Sequence, residues 1–153
     1  MERFLSRKLP GGRFVAVSDV RSRTMGAIRG KHNKSTEGVF RMALISAGIK
    51  GWRLHPAGVR GKPDIIFPEI GLAIFVDGCF WHGCSRCGHT PKTRTAFWRA
   101  KILRNQQRDR RNTRALRRQG LVVMRVWEHS LAGRKGRRRV VQRIRAAISQ
   151  TEE

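Results

Sequence analysis

All three cysteines of this chain fall within nine residues, as Cys79, Cys84 and Cys87, a C-x4-C-x2-C cluster. They lie in a stretch, Asp77 to Arg94, that is punctuated by Gly, His and Pro and follows neither the helical nor the strand period. Such a loop is too poor in apolar residues to be ordered by its own burial, and long loops in compact domains are usually functional or pinned. An odd, clustered set of cysteines argues against a disulfide framework. Zinc suits it better, because a structural site takes four sulfur or nitrogen ligands in a tetrahedron and can replace a missing core. The fourth ligand is open among His82, His89 and the distant His129. His129 reaches the loop only if the run Leu121 to Trp127 lies beside Leu72 to Val76. Free thiols or a redox pair are the alternative.

The rest of the chain has to supply a fold around that loop. Its 153 residues suit one domain, and 39% hydrophobic residues are enough to bury a core. The 34 Lys and Arg face only 10 Asp and Glu, a net charge of +24, which points to a polyanionic partner and makes nucleic acid the default. The bland alternative is a basic protein of the ribosome or nucleoid. No run approaches the length of a membrane span, and the N-terminus lacks the apolar core of a secretory signal. The expectation is a cytoplasmic, nucleoid-associated protein.

Residues 1–20 read as a flexible basic arm, 21–133 as the main domain and 134–153 as a basic C-terminal helix or tail. From Ser35 the spacing predicts a helix: Thr36 can cap, Glu37 favours a first turn, and Val39, Phe40, Ala43, Leu44 and Ala47 share a face before Gly48. Short strands are expected at Trp52 to His55, Asp64 to Phe67 and Leu72 to Val76, split by turn-rich segments. A second helix begins near Thr95, whose hydroxyl can cap, and runs to Gly120. Its stripe Trp98, Ile102, Asn105, Asp109, Asn112 and Leu116 is apolar at both ends and polar in the middle. Leu121 to Trp127 reads as a buried strand, and Lys135 to Ile148 as a last basic helix.

Only four Asp occur in this basic chain, so each is informative. Asp64 follows Pro63 at the start of a strand, and Asp77 ends the next one. Carboxylate or backbone oxygens on adjacent strands are what Mg2+ needs, since it takes one or two protein oxygens and keeps several waters. In a DNA-binding cleft such carboxylates make sense only with a cation; otherwise they repel the phosphodiester. The alternative for both is a strand-end Asp capping a turn. His82 can serve as a general base or as a zinc ligand, and spacing leaves both open. Asp109 or Asn105 can orient its ring. Phe80 and Trp81 either contact bases or pack over the helix that carries Phe97 and Trp98.

The segments RSRTMGAIRGKHNKSTE, GKPDIIFP, AIFVDGCFWHGC, TPKTRTAFWRAKILRNQQRDRR and VMRVWEHSL follow in that order. Together they resemble the very-short-patch repair (Vsr) DNA mismatch endonuclease family over about Ser18 to Gly133. The resemblance implies an α/β, restriction-endonuclease-like PD-(D/E)xK fold, with a mixed central sheet flanked by helices, a structural zinc and a catalytic Mg2+. It implies nicking of double-stranded DNA on the 5' side of the T in a T:G mismatch left by deamination of 5-methylcytosine. A functional link to a cytosine-5 DNA methyltransferase and a monomeric state go with it. Carried onto this chain, it makes Asp64 and the backbone carbonyl of Val76 the Mg2+ ligands. His82 becomes the general base, supported by Asp109 and Asn105, and Glu37 holds a metal-bound water. Met25, Phe80 and Trp81 form an apolar wedge in the DNA, and zinc falls to Cys79, Cys84, Cys87 and His129. The best-known members have His in place of Cys84, Cys in place of His129 and His in place of Asp77, which leaves a metal role for Asp77 open.

Overall fold

The computed structural model describes residues 34–150. Helix α1, Lys34–Ser46, buries Phe40 and Leu44 completely, the two residues at the centre of its apolar stripe. It ends where Gly48 adopts φ 67° and the Ile49 amide donates to the Leu44 carbonyl, a reversal that suits glycine because a Cβ disfavours that backbone. Thr36 does not cap. The helix already includes it, and its hydroxyl faces Glu128 Oε1 at 3.4 Å.

Four strands make one sheet in the order β1-β2-β3-β4: β1 Arg53–Leu54, β2 Ile65–Phe67, β3 Leu72–Asp77 and β4 Val122–Trp127. The first three pair antiparallel and β3 with β4 parallel, so the sheet is mixed. A parallel pair needs a long crossover, and helix α2, Thr95–Arg118, supplies it. Thr95 is not its cap either. Arg94 takes that place at φ 54° with no side-chain cap bond, while the Thr95 hydroxyl donates back to the Pro91 and Lys92 carbonyls. After β4 come the single-turn helix α3, Glu128–Ala132, absent from the sequence expectation, and helix α4, Arg134–Ser149.

The alternation of side chains along β3 and β4 divides the molecule in two. Leu72, Ile74 and Val126 join Ile65 and Phe67 in the main core, closed by Phe40 and Leu44 of α1, Leu131 of α3 and Val140, Val141 and Ile144 of α4. Through Val140, Val141 and Ile144 the C-terminal helix packs into the common core, while Arg137 donates to the Leu131 carbonyl and Arg145 to the Ala47 carbonyl. On the other sheet face, Phe75 and Val123 pack on Leu116 of α2. Asp77 and Arg125 belong to that second face by the same alternation, and both lie under α2. Among the described residues, no helix is long and apolar enough to cross a membrane.

Candidate active site and metal centre

The parallel register pairs Asp77 with Trp127, so Cys79 and His129 each lie two residues past paired positions. Strand pairing thereby carries His129 to the cysteine loop across 50 residues. His129 Nδ1 is 3.3 Å from Cys79 Sγ, 3.5 Å from Cys84 Sγ and 3.3 Å from Cys87 Sγ, and the Cys84 and Cys87 sulfurs are 3.7 Å apart. Zinc bonds of about 2.3 Å to sulfur and about 2.0 Å to nitrogen require tetrahedral edges of about 3.8 Å and about 3.6 Å. The four atoms therefore fit a single tetrahedral ion, and this Cys3His set can hold a metal. His89 is elsewhere, its ring tilted against Phe80 at 5.6 Å. Hydrogen bonding with Cys79, then burial and Cys84, pushes the Cys87 thiol up to about 12; a cation among the sulfurs reverses that preference. Gly88 makes the tight turn possible, since a Cβ there would lie 2.5 Å from the Cys84 carbonyl oxygen.

Beyond Cys79 the loop crosses to α2, and the polar middle of the helix stripe is what receives it. Asn105 Nδ2 donates to the Trp81 carbonyl at 2.9 Å and Gln106 Nε2 to the His82 carbonyl at 3.1 Å. Gly83, at φ 63°, lets the backbone approach, because a Cβ would meet Gln106 and Ile102 at 2.7 Å. His82 Nδ1 then lies 2.5 Å from Asp109 Oδ2. Asn105 thus holds the loop rather than the imidazole, and Asp109 is the group on the ring. Burial acts to raise the Asp109 carboxyl, but the His82 hydrogen bond and the charges of His82, Arg125 and Arg108 outweigh it and hold it below its ordinary value. An ionised carboxylate only accepts, so the shared proton sits on His82 Nδ1 and, in the neutral ring, Nε2 is the basic nitrogen.

Asp77 is buried, with 3% of its surface exposed, and its two oxygens accept a forked pair of hydrogen bonds from Arg125, both at 2.5 Å. Arg125 also reaches Asp109 Oδ2 at 3.2 Å and lies over the Phe75 ring at 5.0 Å. Burial acts to lower this guanidinium, yet Asp77, then Asp109 and Asp64, raise it above its ordinary value. Arg125 escaped the sequence reading. Its signal was a lone charge inside the apolar run of β4, which a buried strand tolerates only with a partner.

Asp64 stands just before β2, half-buried, with Oδ2 accepting the Val76 amide at 2.7 Å. Its main chain is held on both sides: its amide donates to the Ile74 carbonyl and its carbonyl accepts from the His55 amide. Glu37 of α1 lies 2.9 Å from His55 Nε2. His55 therefore links Glu37 to the Asp64 backbone, a connection no local motif announces. Glu128 is a second missed link. It accepts from the Cys79 amide at 3.2 Å and from Thr36, tying the cysteine loop to α1. Phe80 and Trp81 meet edge to face at 4.9 Å and pack on Phe97 and Trp98 while keeping part of their surface exposed. Met25 lies outside the described residues.

The family model for DNA mismatch endonuclease Vsr matches residues 15–89, which include Asp64, His82 and the three cysteines. The type II nicking enzyme V.NaeI of Lentzea aerocolonigenes is 42% identical over 113 residues, covering 71% of this chain and 68% of that protein. The DNA mismatch endonuclease Vsr of Escherichia coli is 38% identical over 117 residues, 75% and 73% of the two chains. The type II nicking enzyme V.NmeAIP of Neisseria meningitidis is 36% identical over 140 residues, 88% and 98%. The chain belongs to the Vsr family. Its relatives carry the names of endonucleases and nicking enzymes, and this Vsr-family chain joins a mixed sheet flanked by helices to a Cys3His cluster.

The Asp109 shift makes a prediction for this Vsr-family chain. A carboxylate lowered in the folded state stabilises it above the unfolded value of about 4, and that contribution disappears as pH falls through the folded value. Wild type should therefore melt above Asp109→Asn near neutrality, with the gap closing below about pH 4. Any loss of metal from the Cys3His set in acid would affect both proteins alike, so the difference isolates Asp109. A gap that persists unchanged to pH 3 in thermal unfolding contradicts the assignment.

Proposed function

We propose that this Vsr-family protein is a Mg2+-dependent DNA endonuclease that nicks the strand 5' of the T in a T:G mismatch, in repair of deaminated 5-methylcytosine. The observation that carries the reading is a concentration of charge against the trend. Three of the four Asp in a chain of net charge +24, Asp64, Asp77 and Asp109, gather at one end of β3 beside His82. In this reading the fold is restriction-endonuclease-like, of the PD-(D/E)xK kind, and the protein acts as a cytoplasmic monomer alongside a cytosine-5 methyltransferase.

The donor set at Asp64 is of hard oxygens, the carboxylate and the Val76 carbonyl, which suits Mg2+. When bound there, Mg2+ supplies a Lewis acid beside the scissile phosphate. His82 Nε2 takes the proton from the attacking water, while Nδ1 keeps its own proton on Asp109 and fixes the ring. Asn105 holds the loop that carries His82, and Glu37, paired with His55, orders water at Asp64. In-line attack leaves 5'-phosphate and 3'-hydroxyl ends. Zinc on Cys79, Cys84, Cys87 and His129 orders the loop, and Phe80 and Trp81, with Met25, wedge beside the mismatch. The exposed arginines of α2, Arg104, Arg108, Arg110, Arg111 and Arg114 among them, meet phosphates.

A nicking assay on matched duplexes that differ only in T:G against C:G, each with and without Mg2+, tests this. Nicking of T:G with Mg2+ alone is expected. The nicking-enzyme names of several relatives favour a second reading, a nickase of other specificity, and equal cutting of both duplexes selects it. Salt-sensitive binding with no product in any lane refutes both.

A further inference from the structure

We propose that Arg125 is a positioning residue for the reaction, acting through Asp109 on His82. The inference rests on the reading of this site as a nuclease centre. It goes beyond it by giving a task to a strand residue that the proposed reaction leaves without one.

Three partners converge on Arg125. Its Nε and Nη2 bind both oxygens of Asp77, Nη2 also lies 3.2 Å from Asp109 Oδ2, and its guanidinium covers the Phe75 ring. The Asp109 oxygen it reaches is the one that His82 Nδ1 contacts at 2.5 Å. The second relation is one of competition. Asp77 Oδ1 is itself only 3.8 Å from His82 Nδ1, so the imidazole has two carboxylates within reach. Arg125 occupies both Asp77 oxygens and thereby leaves Asp109 as the ring's close acceptor. Remove the guanidinium, and Asp77 becomes an equal claimant for the Nδ1 proton. The ring then divides between two orientations, and Nε2 no longer points one way.

A plain structural ion pair would need only the fork on Asp77. The additional reach to Asp109 is made by the same Nη2 that binds Asp77 Oδ1, a nitrogen whose position is fixed by the planar fork of Nε and Nη2 on Asp77. Arginine has that geometry; lysine offers a single point charge that can satisfy Asp77 or Asp109 but cannot bridge them in fixed directions. The Phe75 ring beneath adds a face that favours a flat cation. Helix α2 contributes Asp109 and Arg108, β3 contributes Asp77 and β4 contributes Arg125, so the arrangement spans three elements and depends on their packing.

The test compares full-length, zinc-loaded wild type with Arg125→Met and Arg125→Lys, by single-turnover and steady-state nicking of the T:G duplex, melting temperature, and proton NMR of the His82 Nδ1 hydrogen. In Arg125→Met, kcat should fall about 10- to 100-fold with KM nearly unchanged, the size of effect typical of groups that orient a functional side chain. Arg125→Lys should recover most of the melting temperature by pairing with Asp77, while its kcat stays at least about 10-fold low. The downfield Nδ1 proton resonance of the wild type should be displaced in both variants. If Lys restores kcat together with stability, or the resonance does not move, Arg125 is a structural partner of Asp77 only and the proposal is overturned. Should Arg125→Met fail to fold, the Lys variant and its resonance still decide. Should wild type nick no duplex, the nuclease reading fails, whereas the resonance continues to report whether Arg125 sets the ring.

Discussion

Asp64→Ala is expected to abolish nicking, lowering the rate at least about 1,000-fold, while zinc content and DNA affinity stay close to wild type. The size follows from the chemistry. Metal polarisation of a phosphoryl oxygen contributes several kcal/mol at the transition state, and about 4 kcal/mol corresponds to about three decades of rate. The selectivity follows from the geometry. The Asp64 carboxylate accepts the Val76 amide and is not one of the Cys3His donors, and in the proposed reading DNA affinity comes from the Arg-rich surface, which the substitution does not alter. Losing the Val76 hydrogen bond costs some stability, about 1 kcal/mol, too little to unfold the protein. Asp64→Asn keeps that acceptor and should be equally inactive, which separates metal binding from strand support. Nicking by either variant at more than a tenth of the wild-type rate rejects Asp64 as the metal carboxylate.

His129→Ala should have the other large effect, on the fold. The loop from Gly78 to Arg94 has no helix or strand, and its apolar residues Phe80 and Trp81 pack outward onto Phe97 and Trp98 rather than into the main core. In the proposed reading a metal on the Cys3His set adds to the hydrogen bonds from Asn105, Gln106 and Glu128 that hold the loop, and structural zinc sites return many kcal/mol on binding. Losing one ligand of four should release most of the zinc and lower the melting temperature by on the order of 10 °C, since several kcal/mol correspond to a few degrees each in a domain of this size. A chelator should reproduce this in wild type, with release of Phe80 and Trp81 read by tryptophan fluorescence. Because Cys87 holds its proton strongly without metal, zinc uptake by the apo protein should release protons, measurable in weakly buffered solution. Full zinc content in His129→Ala, measured by atomic absorption, would reassign the fourth ligand.

The effects of both substitutions trace to features of different legibility. The main helices were readable because each follows a local period, Phe40 and Leu44 four apart on α1 and Trp98, Ile102, Asn105, Asp109, Asn112 and Leu116 on one face of α2 across 19 residues, and the strands because they are short apolar runs between turn-rich segments. The polar middle of that second stripe was readable as well, although not its partners. Helix α3 was not readable. Five residues carry too little pattern, and Glu128–Ala132 is helical because Leu131 anchors it in the core. The caps at Thr36 and Thr95 failed for a related reason. A hydroxyl competes among several nearby acceptors, and Glu128 in one case and the Pro91 and Lys92 carbonyls in the other engaged it.

The residue order alone determined the family, the cysteine spacing and the run of candidates from Asp64 to Asp109, since these rest on identities and intervals along one chain. Which histidine meets the sulfurs, and that an arginine stands between Asp77 and Asp109, was decided only by three-dimensional packing. Both depend on the register of β3 against β4, which pairs Phe75 with Arg125 and Asp77 with Trp127. A shift of one residue in that pairing would turn Arg125 to the opposite face and carry His129 away from Cys79, and no interval within either strand encodes the choice. It is set where Leu72, Ile74 and Val126 fit against the helices of the main core.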